Sequence, residues 1–309
     1  MSEQTGISWT DHTFNPWWGC VKVSPACTNC YAERDSKRYG FKIWGQDSER
    51  RFFGDKHWAE PLLWDRKAEK AAVRRRVFCA SMADVFEDRP DLVPHRERLF
   101  RLIDATPNLD WLLLTKRPEN IVRLWPGLVA QPGALGCWSN LWLGVTAENQ
   151  EYADKRIHPL LSVPAVVHFL SYEPALGPLD LAGYGWLSCV HESGTQQDDH
   201  FSCSPIIDLV IAGGESGGNA RPSHPDWFRS VRDQCVAAGV SFHFKQWGEY
   251  ADPYQISHAG YDDVVMNERA AYVGDAPMWR VGKKSAGRLL DGRVWDEMPG
   301  VNRLTGAAQ

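Results

Sequence analysis

The stretch Trp111-Leu-Leu-Leu-Thr-Lys-Arg-Pro118 contains the pattern that decides the fold. Its first five residues are almost wholly apolar, which is typical of a short strand buried on both faces. Two cationic residues, Lys116 and Arg117, end the run, and Pro118 suits the first turn of a helix. The stretch therefore predicts a buried strand, a polar turn and a helix, in that order.

The same order recurs along the chain. A further short strand is expected near residues 14–18. Similar apolar runs, each followed by polar and then amphipathic residues, lie at 77–80, 141–145, 166–170, 208–212 and 240–244. Buried strands that alternate with helices are typical of a parallel sheet covered by helices. We therefore expect an α/β fold, a partial or full (β/α) barrel of about six to eight parallel strands.

Helices and boundaries follow from the residues between these runs. A capping box, Ser223-His-Pro-Asp226, predicts the start of a helix that ends at Gly239. Other helices are expected after Pro118, up to about Leu161, and at about 28–39, 62–75 and 92–105. Residues 183–207 interrupt the alternation and predict an exposed insertion. The expected domains are a barrel over 1–250, with an N-terminal cysteine loop and this insertion, and a C-terminal extension over 251–309.

Polar or charged side chains follow nearly every predicted strand. The carboxyl ends of parallel strands meet at one edge of a sheet, where α/β folds bind their ligands. We therefore expect a cofactor-binding rim formed by Ser81, Asp84, Lys116, Arg117, Thr146, Glu148, Asn149, Ser171, Glu173, Gly213, Gly214, Glu215 and Lys245.

Three cysteines lie close together in Cys20-Val-Lys-Val-Ser-Pro-Ala-Cys27-Thr-Asn-Cys30. Their thiolates can converge on an iron–sulfur cluster or on zinc. Three ligands would leave one iron of a [4Fe–4S] cluster open, and the helix expected after the loop would direct backbone N–H groups at the thiolates. The favoured interpretation is an iron–sulfur cluster. The alternatives are a zinc knuckle with a fourth ligand such as His12, or ordinary buried cysteines.

The composition indicates a globular protein of the cytoplasm. The chain has 43% hydrophobic and 24% charged residues, lacks an apolar run long enough to cross a bilayer, and starts without the features of a signal peptide. In a reducing compartment its eight cysteines are expected to be ligands or core residues. We therefore expect no membrane partner. Cys189, His191, His200 and Cys203 are a weaker second metal-site candidate.

The charge distribution leaves room for one local basic site. The net charge of -5 gives no general argument for nucleic-acid binding. However, Arg280-Val-Gly-Lys-Lys-Ser-Ala-Gly-Arg-Leu-Leu-Asp-Gly-Arg293 carries five cationic side chains, with glycines that allow close backbone approach. This segment suits phosphate or carboxylate binding.

Several motifs together resemble a phage-associated family of uncharacterised three-cysteine-motif proteins, along most of the chain. They are Trp17-Trp-Gly-Cys20, Cys27-x-x-Cys30-Tyr-Ala, Ser81-Met-Ala-Asp84, Leu114-Thr-Lys-Arg-Pro118, Gly144-Val-Thr-Ala-Glu-Asn149, Gly213-Gly-Glu-Ser-Gly217, Phe244-Lys-Gln-Trp-Gly248 and Gly282-Lys-Lys-x-Ala-Gly-Arg288. That family is in turn similar to radical S-adenosylmethionine enzymes. The resemblance implies a [4Fe–4S] cluster on Cys20, Cys27 and Cys30 and S-adenosyl-L-methionine on the open iron.

The resemblance implies an enzyme that generates a 5′-deoxyadenosyl radical. Its substrate would be a nucleic acid or nucleotide, which it would repair or modify, and a reductant protein would be its partner. Asp84 or Glu215 would accept from the cofactor ammonium, and Lys116 or Arg117 would neutralise its carboxylate. One alternative is a metal-stabilised nucleic-acid-binding protein whose tryptophans stack on bases. Another is a barrel hydrolase or nuclease that uses rim carboxylates around divalent metal ions.

Overall fold

The computed structural model describes residues 5–129, 138–188, 206–258 and 270–300. The strands are β1 (His12–Phe14), β2 (Trp17–Trp18), β3 (Arg51–Phe52), β4 (Arg75–Cys79), β5 (Leu109–Thr115), β6 (Leu141–Thr146), β7 (Val167–Tyr172), β8 (Leu209–Gly213), β9 (Ser241–Gln246), β10 (Tyr250–Ala251), β11 (Ala271–Val273) and β12 (Ala276–Arg280). The helices are α1 (Tyr31–Arg38), α2 (Asp55–Trp58), α3 (Glu60–Lys70), α4 (Val93–Asp104), α5 (Ile121–Leu124), α6 (Pro126–Val129), α7 (Gln150–Leu161), α8 (Pro225–Ala238), α9 (Pro253–His258) and α10 (Lys283–Ala286). Short 3-10 turns lie at Pro25–Cys27, Pro90–Leu92 and Pro118–Asn120.

The main sheet has seven parallel strands in the order β1-β4-β5-β6-β7-β8-β9. Each strand of the sheet therefore lies beside its successor, so the crossovers all move in one direction and the sheet curls into a half-barrel. Trp111 of β5, for example, is in register with Val77 of β4 and Leu141 of β6. The predicted α/β partial barrel of six to eight parallel strands is confirmed.

The two faces of the sheet bury different side chains. Leu113 joins the large cluster formed with the helices, whereas its neighbour Leu112 joins a smaller one on the other face. The smaller cluster includes Trp142 and Phe169, and Trp9 from the N-terminal segment packs into it. Because residues alternate between faces along a strand, this second cluster forms an apolar floor on the concave side of the half-barrel.

The strand predicted near residues 14–18 is two strands. β1 joins the main sheet, and β2 pairs instead with β3 in a separate two-stranded antiparallel sheet. Pro16 lies between them, and a proline cannot donate to a sheet ladder. The guanidinium of Arg51 lies over the rings of Trp18 and Phe41, at 4.6 and 4.2 Å, and so fixes this small sheet beside the cysteine loop.

The predicted capping box is wrong in its first residue. Ser223 Oγ donates to the carbonyl of Ala175 at 2.7 Å, so it is not the cap. His224 caps α8 instead, because its Nδ1 accepts from the backbone N–H of Asp226. The predicted end is correct, since Gly239 follows α8 in the left-handed conformation, with φ of 67°.

Other helix predictions need correction at their ends. The segment predicted as one helix after Pro118 is a 3-10 turn followed by α5 and α6, which Pro126 separates. α3 ends at Lys70 rather than at 75, since the chain must turn before β4. α1 begins at Tyr31, after a 3-10 turn that contains Cys27.

The C-terminal extension packs along β9, the last strand of the sheet. The backbone N–H of Phe244 donates to the carbonyl of Trp295 at 3.0 Å, and Trp295 and Leu290 join the large core. β10, β12 and β11 form a small antiparallel sheet beside it. The extension therefore covers a sheet edge that would otherwise expose unpaired backbone groups.

Two sequence predictions concern features that the structure describes only in part. Cys189, His191, His200 and Cys203 of the second metal-site candidate, with most of the predicted insertion, lie outside the described residues. The described residues include five cysteines, and all five have free thiols: Cys20, Cys27, Cys30, Cys79 and Cys235. In the described part of the chain, every helix is too short or too polar to cross a membrane.

His243 is a buried titratable group on the concave face of β9. Its Nε2 bonds with Ser8 Oγ at 2.8 Å, and its Nδ1 has no hydrogen-bond partner among the described residues. Burial first, and then the Arg288 guanidinium, lower the pKa of His243 from 6.5 to about 4. The unfolded chain therefore binds a proton in this range that the folded chain does not.

We expect the free energy of unfolding to fall as pH drops from 6.5 to about 4, with His243 alone contributing a loss of about 3 kcal/mol. Urea unfolding of the native protein and of His243→Gln, measured at several pH values across this range, isolates that contribution. The variant should lose less stability than the native protein over the same interval. Equal losses in both proteins would contradict the assignment.

Candidate functional site at the carboxyl edge of the half-barrel

The cysteine loop lies at the carboxyl edge of the sheet. Gly19, which precedes it, donates to the carbonyl of Met82, just after β4. A Cβ at Gly19 would lie 2.4 Å from the carbonyl oxygen of Ile43, and its φ is +114°, so glycine is required there. Cys20, Cys27 and Cys30 are each half-buried. The loop is thus held at its start by backbone contacts on both sides.

Three side chains, which follow three different strands of the main sheet, hold the rest of this loop. Arg117 Nη2, after β5, donates to the carbonyl of Val21 at 2.7 Å. Glu148 Oε1, after β6, accepts from the backbone N–H of Ala26 at 3.0 Å. Glu215 Oε2, after β8, accepts from Asn29 Nδ2 at 3.0 Å. The structure therefore brings these predicted rim residues and the cysteine loop together.

Asp84 is the buried anchor of Arg117. Its carboxylate accepts from Arg117 Nη1 at 2.8 Å, from Thr115 Oγ1 at 2.7 Å and from the backbone N–H groups of Phe86 and Lys116. Burial alone would raise the pKa of Asp84, but the Arg117 guanidinium and these hydrogen bonds lower it. Asp84 is therefore charged, and its lone pairs are directed at protein donors.

Glu148 and Glu215 are also paired with arginines. Arg156 of α7 donates to Glu148 Oε2 at 2.9 Å, and both side chains are buried. Arg221 donates to both oxygens of Glu215, at 2.8 and 2.6 Å, and also to the carbonyl of Pro25 in the cysteine loop. Although burial opposes it, Arg221 and Asn29 lower the pKa of Glu215. A ligand ammonium would have to displace one of these partners.

Above the apolar floor, the concave face becomes polar. Lys116, Thr146, Ser171, Glu173 and Lys245 continue the alternation of the floor residues toward the carboxyl edge. The ammonium group of Lys116 donates to Thr146 Oγ1 at 3.2 Å, and that of Lys245 lies 3.1 Å from Glu173 Oε1. The predicted rim residues on this face thus form a polar surface with both signs of charge.

The cysteine loop and this polar surface are joined by Tyr31. Its hydroxyl, in the first turn of α1, donates to the carbonyl of Ser81 at 2.9 Å. Asn15 Nδ2 in turn donates to Ser81 Oγ at 3.0 Å. Ser81, one of the predicted rim residues, therefore connects β1, β4 and the segment that follows Cys30.

The remaining predicted rim residues have neighbours within the protein. Asn149 caps α7, because its side-chain oxygen accepts from the backbone N–H of Tyr152 at 3.2 Å. A Cβ at Gly213 would lie 2.6 Å from Glu173 Oε1, so the missing side chain leaves room for that carboxylate. A Cβ at Gly214 would overlap the carbonyl of Trp247. These three positions therefore shape the rim in the structure.

The thiols differ in their electrostatic surroundings. Burial, and then Asp84, raise the pKa of Cys20 to about 12, whereas Arg117, whose Nη1 lies 3.7 Å from the sulfur, opposes the increase. Burial also raises the pKa of Cys30, and the backbone N–H groups of Glu33 and Ala32 in α1 oppose this. A metal centre here would have to form with release of the thiol protons.

The three thiols are suitable ligands for an iron–sulfur cluster, but in this structure they do not converge on one centre. Three free thiols lie on one short anchored loop. However, no three His, Cys, Asp or Glu side chains converge as a metal site among the described residues. Cluster binding would require the three thiols to converge on one centre. His12 begins β1, in register with Val77 in the middle of β4, and its ring stacks on Trp64, so the geometry does not favour it as a fourth zinc ligand.

A cavity of about 990 Å³ also adjoins the loop. Val21 and Val23 of the cysteine loop line it, and so does Tyr152, whose ring lies 4.4 Å from the guanidinium of Arg156. The other lining residues are Gln46, Glu87, Asp88, Arg89, Pro90, Asp91, Lys116, Arg117, Glu119, Asn120, Lys155 and Arg156. The cavity therefore shares Lys116 and Arg117 with the predicted rim.

Sequence reasoning missed the residues that complete these contacts. Asn29, Arg156 and Arg221 each bond a rim carboxylate, and none of them directly follows a strand. Two of these ion pairs join residues that are close in sequence, so sequence spacing could have indicated them. Arg156 lies eight residues after Glu148, and Arg221 lies six residues after Glu215. Asn29 carried a signal only through its position between two cysteines.

The chain belongs to DUF5131, a family of proteins of unknown function whose model matches residues 4–299. The predicted membership of an uncharacterised family is confirmed at that level, whereas the phage association and the similarity to radical enzymes stay predictions. No curated protein and no solved structure matches the chain.

Proposed function

We propose that this member of DUF5131 is a radical S-adenosylmethionine-type iron–sulfur enzyme that acts on a nucleic acid or nucleotide, in repair or modification. The observation that carries the proposal is the position of the cysteine loop. Arg117, Glu148 and Glu215 fix the loop, with its three free thiols, at the carboxyl edge of a half-barrel. That edge is where α/β barrels bind the molecules on which they act.

In this proposal Cys20, Cys27 and Cys30 hold a [4Fe–4S] cluster, and three ligands leave one iron for the cofactor. When bound, the reduced cluster would supply one electron that breaks the sulfur–C5′ bond of S-adenosylmethionine, giving methionine and a 5′-deoxyadenosyl radical. A reductant protein would return that electron to the cluster.

The chain's own residues bind the cofactor and exclude water. Lys116 is the best-placed cation for the cofactor carboxylate, because its ammonium donates to Thr146 but has no carboxylate partner among the described residues. Asp84 serves mainly to fix Arg117 against the loop, and Glu215 to hold Asn29 of the loop itself. Trp142 and Phe169 close the concave face from below, which keeps solvent from a reactive species.

Two alternative functions have less support. All fifteen tryptophans lie among the described residues, nine of them are buried, and none is among the exposed large apolar side chains. They therefore offer few stacking surfaces for the bases of a purely nucleic-acid-binding protein. Asp84, Glu148 and Glu215 are each paired with an arginine, which leaves them poorly suited to hold the divalent ions of a nuclease.

The test is cofactor binding and cleavage by the iron-loaded chain. We expect S-adenosylmethionine to bind with micromolar affinity, on the order of -8 kcal/mol, and dithionite to release 5′-deoxyadenosine. Lys116→Ala should weaken binding about 10- to 100-fold in calorimetry, since a charge-assisted hydrogen bond contributes about 1.5–3 kcal/mol.

Lys70→Ala, an exposed lysine of α3, is the matched control and should bind like the native protein. If the iron-loaded protein neither binds nor cleaves the cofactor, the radical-enzyme proposal fails. A structural role for the three cysteines would then take its place.

A further inference from the structure

The C-terminal extension carries the basic segment of residues 280–293 to the mouth of the half-barrel. The backbone N–H groups of Val281 and Gly282 both donate to the carbonyl of Glu249 at 3.0 Å, and Gly282 has a φ of +83°. This turn places Lys283 at the start of α10. A motif distant from the rim in sequence is thereby brought to the rim in space.

α10 is held at both ends beside the segment that follows β9, because Gly282 donates to the carbonyl of Glu249 and the carbonyl of Gly287 accepts from the backbone N–H of Trp247 at 3.2 Å. Partial burial of its ammonium group, and then the neighbouring Lys245, lower the pKa of Lys283, whereas Glu173 and Glu249 oppose this. Lys245 is itself paired with Glu173, at 3.1 Å. Two ammonium groups, from β9 and from the extension, therefore belong to the same corner of the rim as Glu173, which directly follows β7.

The charge at this corner is not balanced within the described parts of the chain. Lys283 makes no ion pair there, and the guanidinium of Arg280 lies 4.0 Å from Glu249 while donating to the carbonyl of Gly217. Glu249 Oε1 is engaged by the backbone N–H of Gly217 at 2.9 Å. The corner thus presents more positive charge than its own carboxylates neutralise.

We propose that Lys245 and Lys283, with Arg280 at the border, bind a phosphate group of the nucleotide or nucleic-acid substrate. The inference deepens the proposed function, on which its choice of substrate rests. Each lysine ammonium is a compact charge with three N–H donors. Two such groups can therefore donate to different oxygens of one phosphate from different sides. Glu173 holds Lys245 in place by their ion pair and so directs it toward the mouth.

Adjacent lysines provide a matched pair of variants. Lys283 and Lys284 are both exposed residues of α10, but neighbouring side chains of a helix project about 100° apart, and Lys245 and Glu173 act on the charge of Lys283. A labelled single-stranded DNA of about 20 nucleotides is the first probe, and a nucleoside 5′-monophosphate is the competitor. Binding to the full chain without iron, followed by fluorescence anisotropy, keeps the measurement independent of radical chemistry.

We expect Lys283→Ala to weaken binding about tenfold and to reduce the salt dependence by about one released counterion, while Lys284→Ala changes both only slightly. Lys283→Arg should restore most of the affinity. If the monophosphate competes at low concentration, the bound phosphate is that of a free nucleotide. If only the oligonucleotide binds, the bound phosphate belongs to the backbone of a nucleic acid.

Equal effects of Lys283→Ala and Lys284→Ala would overturn the proposal, because they would indicate only general attraction to positive charge. Failure of both probes to bind the native chain would overturn it as well. Lysine-dependent binding by a protein that does not cleave S-adenosylmethionine would support the phosphate site while refuting the proposed radical chemistry.

Discussion

Anaerobic reconstitution with iron and sulfide is expected to load about four irons per chain, and alanine at Cys20, Cys27 or Cys30 is expected to abolish the loading. The reason is the donor set. These thiols are free and lie within one anchored loop, whereas the other described cysteines, Cys79 and Cys235, are buried in the core. Iron and sulfide analysis and the absorption spectrum of the oxidised protein measure the loading.

The matched control is Cys235→Ala. Cys235 lies on α8 in the sheet–helix core, away from the loop, so its loss should reduce stability while leaving the iron content at the native level. One zinc per chain with no iron would contradict the cluster prediction. It would then be necessary to look for a fourth ligand, since three thiols do not complete a structural zinc site.

Loading should also depend on pH. Burial raises the pKa of Cys20 to about 12, so this thiol is protonated near neutral pH in the metal-free chain and must lose a proton when it binds iron. The Arg117 guanidinium, 3.7 Å away, lowers the cost of the thiolate. Arg117 therefore has two roles in our interpretation, since it anchors the loop and favours the charged form of the thiol that starts it.

The strands were predictable because their signal is local. The run at 111–114 is apolar throughout, and it lies inside β5, Leu109–Thr115. A strand covered on both faces needs no long-range information to be recognised, since both sets of alternating side chains must be apolar. The position of the rim followed from the same reasoning, because carboxyl ends of parallel strands meet at one edge.

The connections across the rim were not predictable, because they join residues far apart in the chain. Glu148 accepts from Ala26, which is 122 residues earlier, and Glu215 accepts from Asn29, which is 186 residues earlier. A sequence shows that a carboxylate lies at the rim but not whether a ligand or the protein itself satisfies it. The structure gives each of these carboxylates a partner within the chain, and this changes their expected role from cofactor contact to support of the loop.

The edge of the sheet gives a second example. Trp295 was indistinguishable by composition from any other tryptophan of the tail, yet its carbonyl accepts from β9 and its ring joins the core. Such packing depends on which strand is left at the edge of the finished sheet. That information exists only after the whole strand order is known.

Asp84→Asn is expected to destabilise the protein by about 3–5 kcal/mol and to reduce iron retention. The side chain of Asp84 is 7% exposed and that of its partner Arg117 is 9% exposed. Water therefore solvates neither charge well. The amide would leave the guanidinium buried without a counter-ion. Urea unfolding gives the stability, and iron content after gel filtration gives the retention.

The control for this variant is Asp110→Asn. Asp110 is also buried and paired with an arginine, but it lies near the opposite end of β5, and Arg74 is 36% exposed. Because water can solvate Arg74 when its partner is lost, we expect a cost nearer 1 kcal/mol and no change in iron content. Equal iron retention in both variants would contradict the role of Asp84 as an anchor of the cysteine loop.

The acid limb of the stability curve provides a second readout of the same pair. The pKa of Asp84 is lowered below its ordinary 3.8 in the folded chain, since Arg117 and the hydrogen bonds outweigh the effect of burial. Its contribution to stability is therefore complete above about pH 3.8 and is lost as pH falls through the lower folded value. Asp84→Asn should remove this loss of stability in acid. Asp110→Asn should not remove it, because burial raises the pKa of Asp110 and its contribution to the pH dependence therefore has the opposite sign. A cysteine loop held by Asp84 through Arg117 should then lose its iron at higher pH in Asp84→Asn than in the native protein.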